Sequence, residues 1–151
     1  MNSATPPPLT DAERLALRRV VGDMIPASRE FGVPAADDDA IFADLLQTIA
    51  PAIGHVRAAL ARLDELAGGT YATLDVDARK LAAAQFREDS PALALLLATL
   101  TSRCYYRDDR VMRSLGMEVR PPFPKGFQVE PGDWSLLDAV RSRPKIYRDA
   151  P

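Results

Sequence analysis

The feature that most constrains the fold of this chain is the helical spacing of its apolar residues. The most regular example is a seam with alternating spacings of three and four, formed by Ile53, Val56, Leu60, Leu63 and Ala67. This period places the apolar side chains on one face of an α-helix, where they can pack against neighbouring helices. No segment shows a convincing run of the two-residue alternation that marks a β-strand. The sequence therefore predicts an all-α fold.

Start and stop signals divide this pattern into about six helices. Thr10 and Glu13 form a T-x-x-E capping box before the first helix, and Pro26 ends that helix. Asp75 and Ser90 are residue types that cap helices, and each precedes a later helical segment. The second of these segments contains the apolar run PALALLLATL, which is about half the length that spans a bilayer and indicates a buried core helix.

The sequence changes character after Gly116. The stretch GMEVRPPFPKGFQVEPGDW is rich in proline and glycine, so it is expected to be extended, with polyproline II conformation around the prolines. Asp133 then caps a short final helix. We therefore predict a single-domain helical bundle at residues 9–116, preceded by a flexible Pro-rich leader at 1–8. Residues 117–151 are predicted to form an extended arm and final helix, packed on the domain or on a partner.

Length and charge narrow the classes of function. With 151 residues, 47% hydrophobic and 26% charged, the composition is that of one globular domain. The net charge of -2 provides no global field for binding nucleic acid. Residues 1–100 carry nine basic and 14 acidic side chains, whereas residues 101–151 carry ten and seven. This mild asymmetry fits a polar protein contact. No direct membrane span is expected, because the apolar run PALALLLATL is too short to cross a bilayer.

Residues that could carry chemistry are few. The single cysteine, Cys104, is predicted to be a buried hydrophobe, and the single histidine, His55, a structural or interfacial residue. Asp108 and Asp109 are adjacent and indicate a helix cap or a solvated turn rather than an acid-base pair. There is no Gly-rich nucleotide-binding motif and no haem-attachment motif. We therefore expect no catalytic, cofactor-binding or metal-binding residues in this chain.

An aromatic, proline and arginine group near the C-terminus remains, and it allows two interpretations. The aromatic side chains could close the open end of the bundle, with the prolines stiffening a long connection. Alternatively, the group could bind a partner, because aromatic and arginine side chains dominate interface centres and a stiff segment loses little entropy on docking. The partner-binding candidates are Tyr105, Tyr106, Arg107, Arg120, Pro121, Pro122, Phe123, Pro124 and Trp134.

The same residues carry a family resemblance. The opening LTDAERLALRRVVGDMIPA, followed by the paired tyrosines, RPPFPKG and a closing YR, resembles the gluconate 2-dehydrogenase subunit 3 family. Members are small partner subunits of flavin-dependent dehydrogenases whose large subunit is of the glucose-methanol-choline oxidoreductase type. The resemblance implies a non-catalytic accessory subunit that binds, matures or stabilises a sugar or alcohol dehydrogenase. It places the FAD in the partner, implies an interface role for the nine candidates, and leaves open a cytochrome subunit that some complexes add.

One departure from that family concerns export. Many members begin with a twin-arginine signal, and this sequence shows none, so the expected compartment is the cytoplasm as written. A periplasmic location would follow if the sequence is a mature form or is exported with its partner. Two rival functions stay open: a self-associating helical structural protein, and a stand-alone enzyme that uses His55, Cys104 or carboxylates.

Overall fold

A computed structural model describes residues 7–121, 123, 126 and 131–145 of the chain. Within these residues the regular structure is helical and no β-strand forms, which confirms the all-α prediction. The helices are α1 (Asp11–Met24), α2 (Asp39–Thr48), α3 (Ile53–Leu66), α4 (Val76–Asp89), α5 (Pro91–Tyr105), α6 (Asp109–Ser114) and α7 (Asp138–Arg141). Short 3-10 turns occupy Ala50–Ala52, Tyr71–Thr73 and Trp134–Leu137.

The predicted capping box at the start of α1 is present. The backbone N–H of Thr10 donates to Glu13 Oε2 at 2.7 Å, and the backbone N–H of Glu13 donates to Thr10 Oγ1 at 3.2 Å. Arg57 of α3 donates to Glu13 Oε1 at 2.9 Å and also to the carbonyl oxygens of Pro7 and Pro8. These contacts hold the pKa of Glu13 below its usual value, chiefly through the Thr10 backbone N–H.

Other helix ends follow local chemistry in the same way. Asp75 accepts from the backbone N–H of Ala78 at 2.8 Å and so caps α4, as predicted. Ser90 occupies the N-cap position of α5, but its side chain makes no capping hydrogen bond there. Gly68 follows α3 with a φ of 65°, a left-handed conformation that glycine adopts without the steric cost other residues meet.

The core lies where α3 meets α1, α4 and α5, with α2 packed on α5. Four members of the predicted seam on α3 are buried, while Ala67 is only partly buried. Val21, Val56 and Ala59 have no exposed surface at all. Burial of these apolar side chains is the main force that holds the helices together.

The chain divides into two compact units, Met1–Val119 and Arg120–Pro151. We refer to the described part of the first, residues 7–119, as the helical unit. We refer to the described residues between 120 and 145 as the C-terminal segment. In this segment the predicted final helix consists of the 3-10 turn Trp134–Leu137 followed directly by α7. Among the residues that the structure describes, no helix is long and apolar enough to cross a bilayer.

Candidate functional site

The C-terminal segment exposes large apolar side chains. The side chains of Phe123 and Leu136 are 85% and 76% exposed, and Trp134 is 65% exposed. Leu137 and Val140 are also exposed, and none of the residues 131–145 is buried. A soluble protein seldom leaves several such groups together in water unless they serve a contact.

The helical part of this segment is short. Asp133 starts it by accepting from the backbone N–H of Ser135 at 3.0 Å, and its regular structure ends at Arg141. Trp134, Leu137 and Val140 recur every third residue, so they share one side of this short element. A helix of about two turns is marginal in water without tertiary contacts. Its stability is therefore expected to depend on a surface that covers these side chains.

Arg120 organises the turn that carries Phe123. One Nη atom of Arg120 donates to the carbonyl oxygen of Gly126, six positions later, at 2.8 Å. Gly126 has a φ of 65°, so this position favours glycine. This hydrogen bond joins positions that lie on either side of Phe123 in the sequence. Pro121 is exposed, whereas the predicted contact residues Pro122 and Pro124 lie outside the described residues.

The paired tyrosines have different positions. Tyr106 is 56% exposed, and its ring meets that of Tyr105 edge to face, with centroids 5.3 Å apart. Tyr105 is buried, its hydroxyl donates to the carbonyl oxygen of Pro34 at 3.2 Å, and burial raises its pKa. A direct partner contact for Tyr105 stays a prediction, and the burial of its ring inside the helical unit does not favour it.

Arg107 joins the end of α5 to α2. Its guanidinium pairs with the carboxylate of Asp44 and donates to Thr48 Oγ1 at 3.1 Å. The hydrogen bond to Asp44 raises the pKa of Arg107 further above its usual value. Half of the side chain remains exposed, so it can still contact a partner. Its charge, however, already stabilises the helical unit.

Arg110 links the caps of two helices. Asp38 accepts from the backbone N–H of Ala40 and caps α2, and Asp108 accepts from that of Arg110 and caps α6. The Arg110 guanidinium bridges both carboxylates, at 2.6 Å to Asp38 and 3.0 Å to Asp108. Its hydrogen bonds lower the pKa of both aspartates. The expectation that Asp108 is a helix cap is confirmed.

Among the described residues, no hydrogen bond joins Cys104 to His55, and the Cys104 sulfur instead accepts from Arg107. Cys104 is buried as predicted, and burial raises the pKa of its thiol, which disfavours the nucleophilic thiolate. His55 is exposed on α3. Within the described ranges, no three His, Cys, Asp or Glu side chains are grouped where they could hold a metal ion.

Sequence reasoning missed an apolar cleft in the helical unit. Its volume is about 660 Å³, and it is lined by residues of α1, α3, α4, α5 and the turn at Tyr71. Met24, Val76 and Leu95 line this cleft and are exposed to between 38% and 68%. The run PALALLLATL is therefore only partly buried, because one face of α5 lines the cleft while Leu97 enters the core.

An ion pair lies beside the floor of this cleft. Arg79 of α4, with a side chain only 10% exposed, donates to both carboxylate oxygens of Asp23 on α1, at 2.7 and 3.1 Å. The Tyr71 hydroxyl donates to the same carboxylate at 3.1 Å, and burial raises the pKa of this tyrosine. A third donor of Arg79 contacts the carbonyl oxygen of Leu74. The cluster neutralises Asp23 and fixes the position of α4 relative to α1.

Comparison of the chain with protein-family models, with curated proteins and with solved structures returns no match. The functional argument therefore depends on the residues and surfaces described above.

Proposed function

We propose that this protein is a non-catalytic small subunit that binds and stabilises a larger enzyme through its C-terminal segment. The proposed partner is the flavin-dependent large subunit of a sugar or alcohol dehydrogenase of the glucose-methanol-choline type. In this proposal the partner holds the FAD. The partner class comes from the sequence resemblance, and the binding role is supported by the exposed side chains.

The observation that carries the proposal is the exposure of Phe123, Trp134 and Leu136 in a segment that has no buried residue between 131 and 145. Each of these side chains would gain free energy on leaving water, at about 25 cal/mol per Å² of apolar surface. Arg120 donates a hydrogen bond to the carbonyl oxygen of Gly126, and we expect this bond to restrict the backbone that carries Phe123. A restricted anchor loses less conformational entropy when it binds.

The role of such a subunit is thermodynamic. A protein that binds only the folded state of its partner lowers the partner's unfolded fraction, in proportion to its concentration over its Kd. The flavoprotein would therefore accumulate in a soluble form and retain more of its flavin. The compartment of this assembly is proposed to be the cytoplasm as the sequence is written, or the periplasm if the partner directs export.

Co-expression tests the proposal directly. A tagged form of this protein is expressed with a large flavin-dependent dehydrogenase subunit, sought first in the neighbouring gene and recognised by a G-x-G-x-x-G near its start. We expect the two chains to co-purify, and the soluble yield or flavin absorbance of the large subunit to exceed that obtained without this protein. Neither co-purification nor any change in yield or flavin content would contradict the proposal.

Matched variants identify the surface. The double variant F123A/W134A should abolish or greatly weaken co-purification, because aromatic anchors dominate binding energy. Phe31→Ala is the control, since Phe31 is also 66% exposed but lies in the helical unit. Equal retention of the partner by both variants would place the interface elsewhere.

The same exposed segment favours a second candidate, self-association. A second copy of this chain could cover Phe123 and Trp134 as well as a different protein could. Light scattering of the purified protein distinguishes the two. A homodimer that dissociates in F123A/W134A, with no effect on the flavoprotein, would support self-association and contradict the accessory role.

A further inference from the structure

The apolar cleft of the helical unit has the size and walls of a binding site for a small molecule. Pockets that enclose small ligands have volumes of about 300 to 1,000 Å³, and this cleft has about 660 Å³. Its space exists because Ala83, Ala94 and Ala98 on the facing sides of α4 and α5 are small. Phe86 and Leu63 close the floor from the core.

Two cations line the cleft alongside its apolar walls. Lys80 and Arg87 lie seven residues apart on α4, on the stripe that also carries Val76 and Ala83. Arg87 has no ion pair within the described part of the chain. Lys80 contacts only Asp77, at 3.3 Å, in a pair whose side chains are 72% and 90% exposed. Such an exposed pair is weak, so both cations are available to an anion.

The acidic side chain in the lining does not oppose this charge. Asp23 is the carboxylate among the lining residues, and Arg79 and Tyr71 already occupy its oxygens. Its negative charge is neutralised by a bidentate guanidinium. The cleft therefore offers an anionic group two cations, with apolar walls beside them.

We propose that this cleft binds a small amphiphilic acid, with an apolar chain between α4 and α5 and a carboxylate at Lys80 and Arg87. A protein helix fits less well, because a helix is 10 to 12 Å wide and roughly 7 Å of its length would fill the volume. An extended or ring-bearing chain matches the lining better. The lining of this site includes no residue of the C-terminal segment, so the proposal does not depend on the proposed function.

Isothermal titration calorimetry with decanoate, below its micelle concentration, tests for the site in the purified full-length protein. We expect saturable binding with one molecule per chain and a negative heat-capacity change, which marks the burial of apolar surface. The neutral analogue 1-decanol should bind more weakly. Absence of decanoate binding, or equal affinity for the acid and the alcohol, would overturn the proposal.

Substitution of the two cations tests their contribution to binding separately from that of the apolar cleft. K80Q/R87Q should weaken decanoate binding roughly three- to tenfold and leave decanol binding unchanged, because each exposed cation contributes modestly. Arg29→Gln is the control, because Arg29 lies in an exposed turn and does not line the cleft, and this variant should bind decanoate normally. Unchanged decanoate affinity in the double variant would contradict the position of the carboxylate.

A filling variant tests the apolar part. Ala98→Phe places a ring in the cleft and should abolish binding of both ligands, with the helix content and melting temperature checked by circular dichroism. Undiminished binding in a folded Ala98→Phe protein would overturn the proposal. F123A/W134A should bind decanoate like the wild type, so failure of the accessory role and failure of this site give different results. A concentration-dependent dimer that Ala98→Phe dissociates would instead assign the cleft to a second copy.

Discussion

The helical unit and the C-terminal segment use apolar residues in opposite ways. In the helical unit, Leu17, Leu45 and Leu63 are at most 2% exposed, and arginine and aspartate side chains fix the helix ends. In the C-terminal segment, Leu136 and Trp134 are mostly in water, and a short helical element carries them. The comparison indicates where each part obtains its free energy. The helical unit gains it on folding, whereas the segment would gain it on binding.

The largest expected effect comes from comparing the same leucine-to-alanine substitution in the two regions. Leu63→Ala should lower the free energy of unfolding by about 3 kcal/mol, because it removes buried methyl groups and leaves a cavity. Leu136→Ala should leave it unchanged within error, because that side chain is 76% exposed. Urea unfolding measures both. Similar losses in the two variants would remove the contrast between the two regions.

A second test concerns the ion pair that joins α1 to α4. Arg79→Ala should cost about 2 kcal/mol, because it removes the guanidinium that pairs with the Asp23 carboxylate and leaves that charge only the hydrogen bond from the Tyr71 hydroxyl. The cost should lie below the range for fully buried pairs, since the Asp23 side chain keeps 32% exposure. Lys80→Ala removes an exposed cation from the same helix and should have no measurable effect on unfolding. If Lys80→Ala lowered the free energy of unfolding as much as Arg79→Ala, the cause would be a general sensitivity of α4 to substitution and not the loss of the ion pair.

The pH dependence of stability tests the Arg110 bridge. Asp38 and Asp108 have pKa values lowered from about 3.8, so their contribution is present above that pH and is lost as the pH falls through the folded-state values. Arg110→Gln should therefore cost about 1 kcal/mol near neutral pH, a figure reduced because the guanidinium is 44% exposed. The difference from wild type should vanish in strong acid.

Urea unfolding at both ends of this pH range gives the comparison. Arg113→Gln is the matched control, because Arg113 pairs with Asp109 where both side chains are mostly exposed. It should change stability little at either pH. A constant Arg110→Gln penalty at all pH values would show that packing, rather than charge, is responsible.

The smallest expected effect on stability belongs to Phe123. Phe123→Ala should leave the melting temperature of the isolated protein unchanged, because the ring is 85% exposed. The same change should weaken the complex with the flavoprotein at least tenfold, as expected for an aromatic anchor. Thermal melting and a titration of the partner measure the two quantities. A fall in melting temperature would mean that the ring stabilises this protein itself.

Local patterns in the sequence predicted much of the helical unit. Thr10 with Glu13 marked the start of α1, Asp75 that of α4, and the spacing from Ile53 to Leu63 the buried face of α3. These features depend on residues within a few positions of each other. The same local logic could not separate Tyr105 from Tyr106, because adjacent aromatic residues look alike until the helix is oriented against its neighbours.

Local sequence patterns could not predict the cleft or the burial of Arg79 either. Val76, Lys80, Ala83 and Arg87 form a stripe in the sequence, but this pattern is typical of the half-polar face of an ordinary helix. Whether it borders a cavity depends on the side chains of α1 and α5 that lie opposite. The run PALALLLATL was predicted to form a buried core helix, yet Leu95 within it is exposed, because an apolar run does not show which of its faces meets the core.

By itself, the sequence determined that this protein is helical, where several helices begin, and that its aromatic and proline residues cluster near the C-terminus. Tertiary structure decided which apolar faces are covered, which arginines are committed to ion pairs, and where small side chains leave a cavity. The physical reason is range: caps and periodicity act between neighbours in the chain, whereas burial and charge pairing depend on residues up to 72 positions apart, as between Asp38 and Arg110.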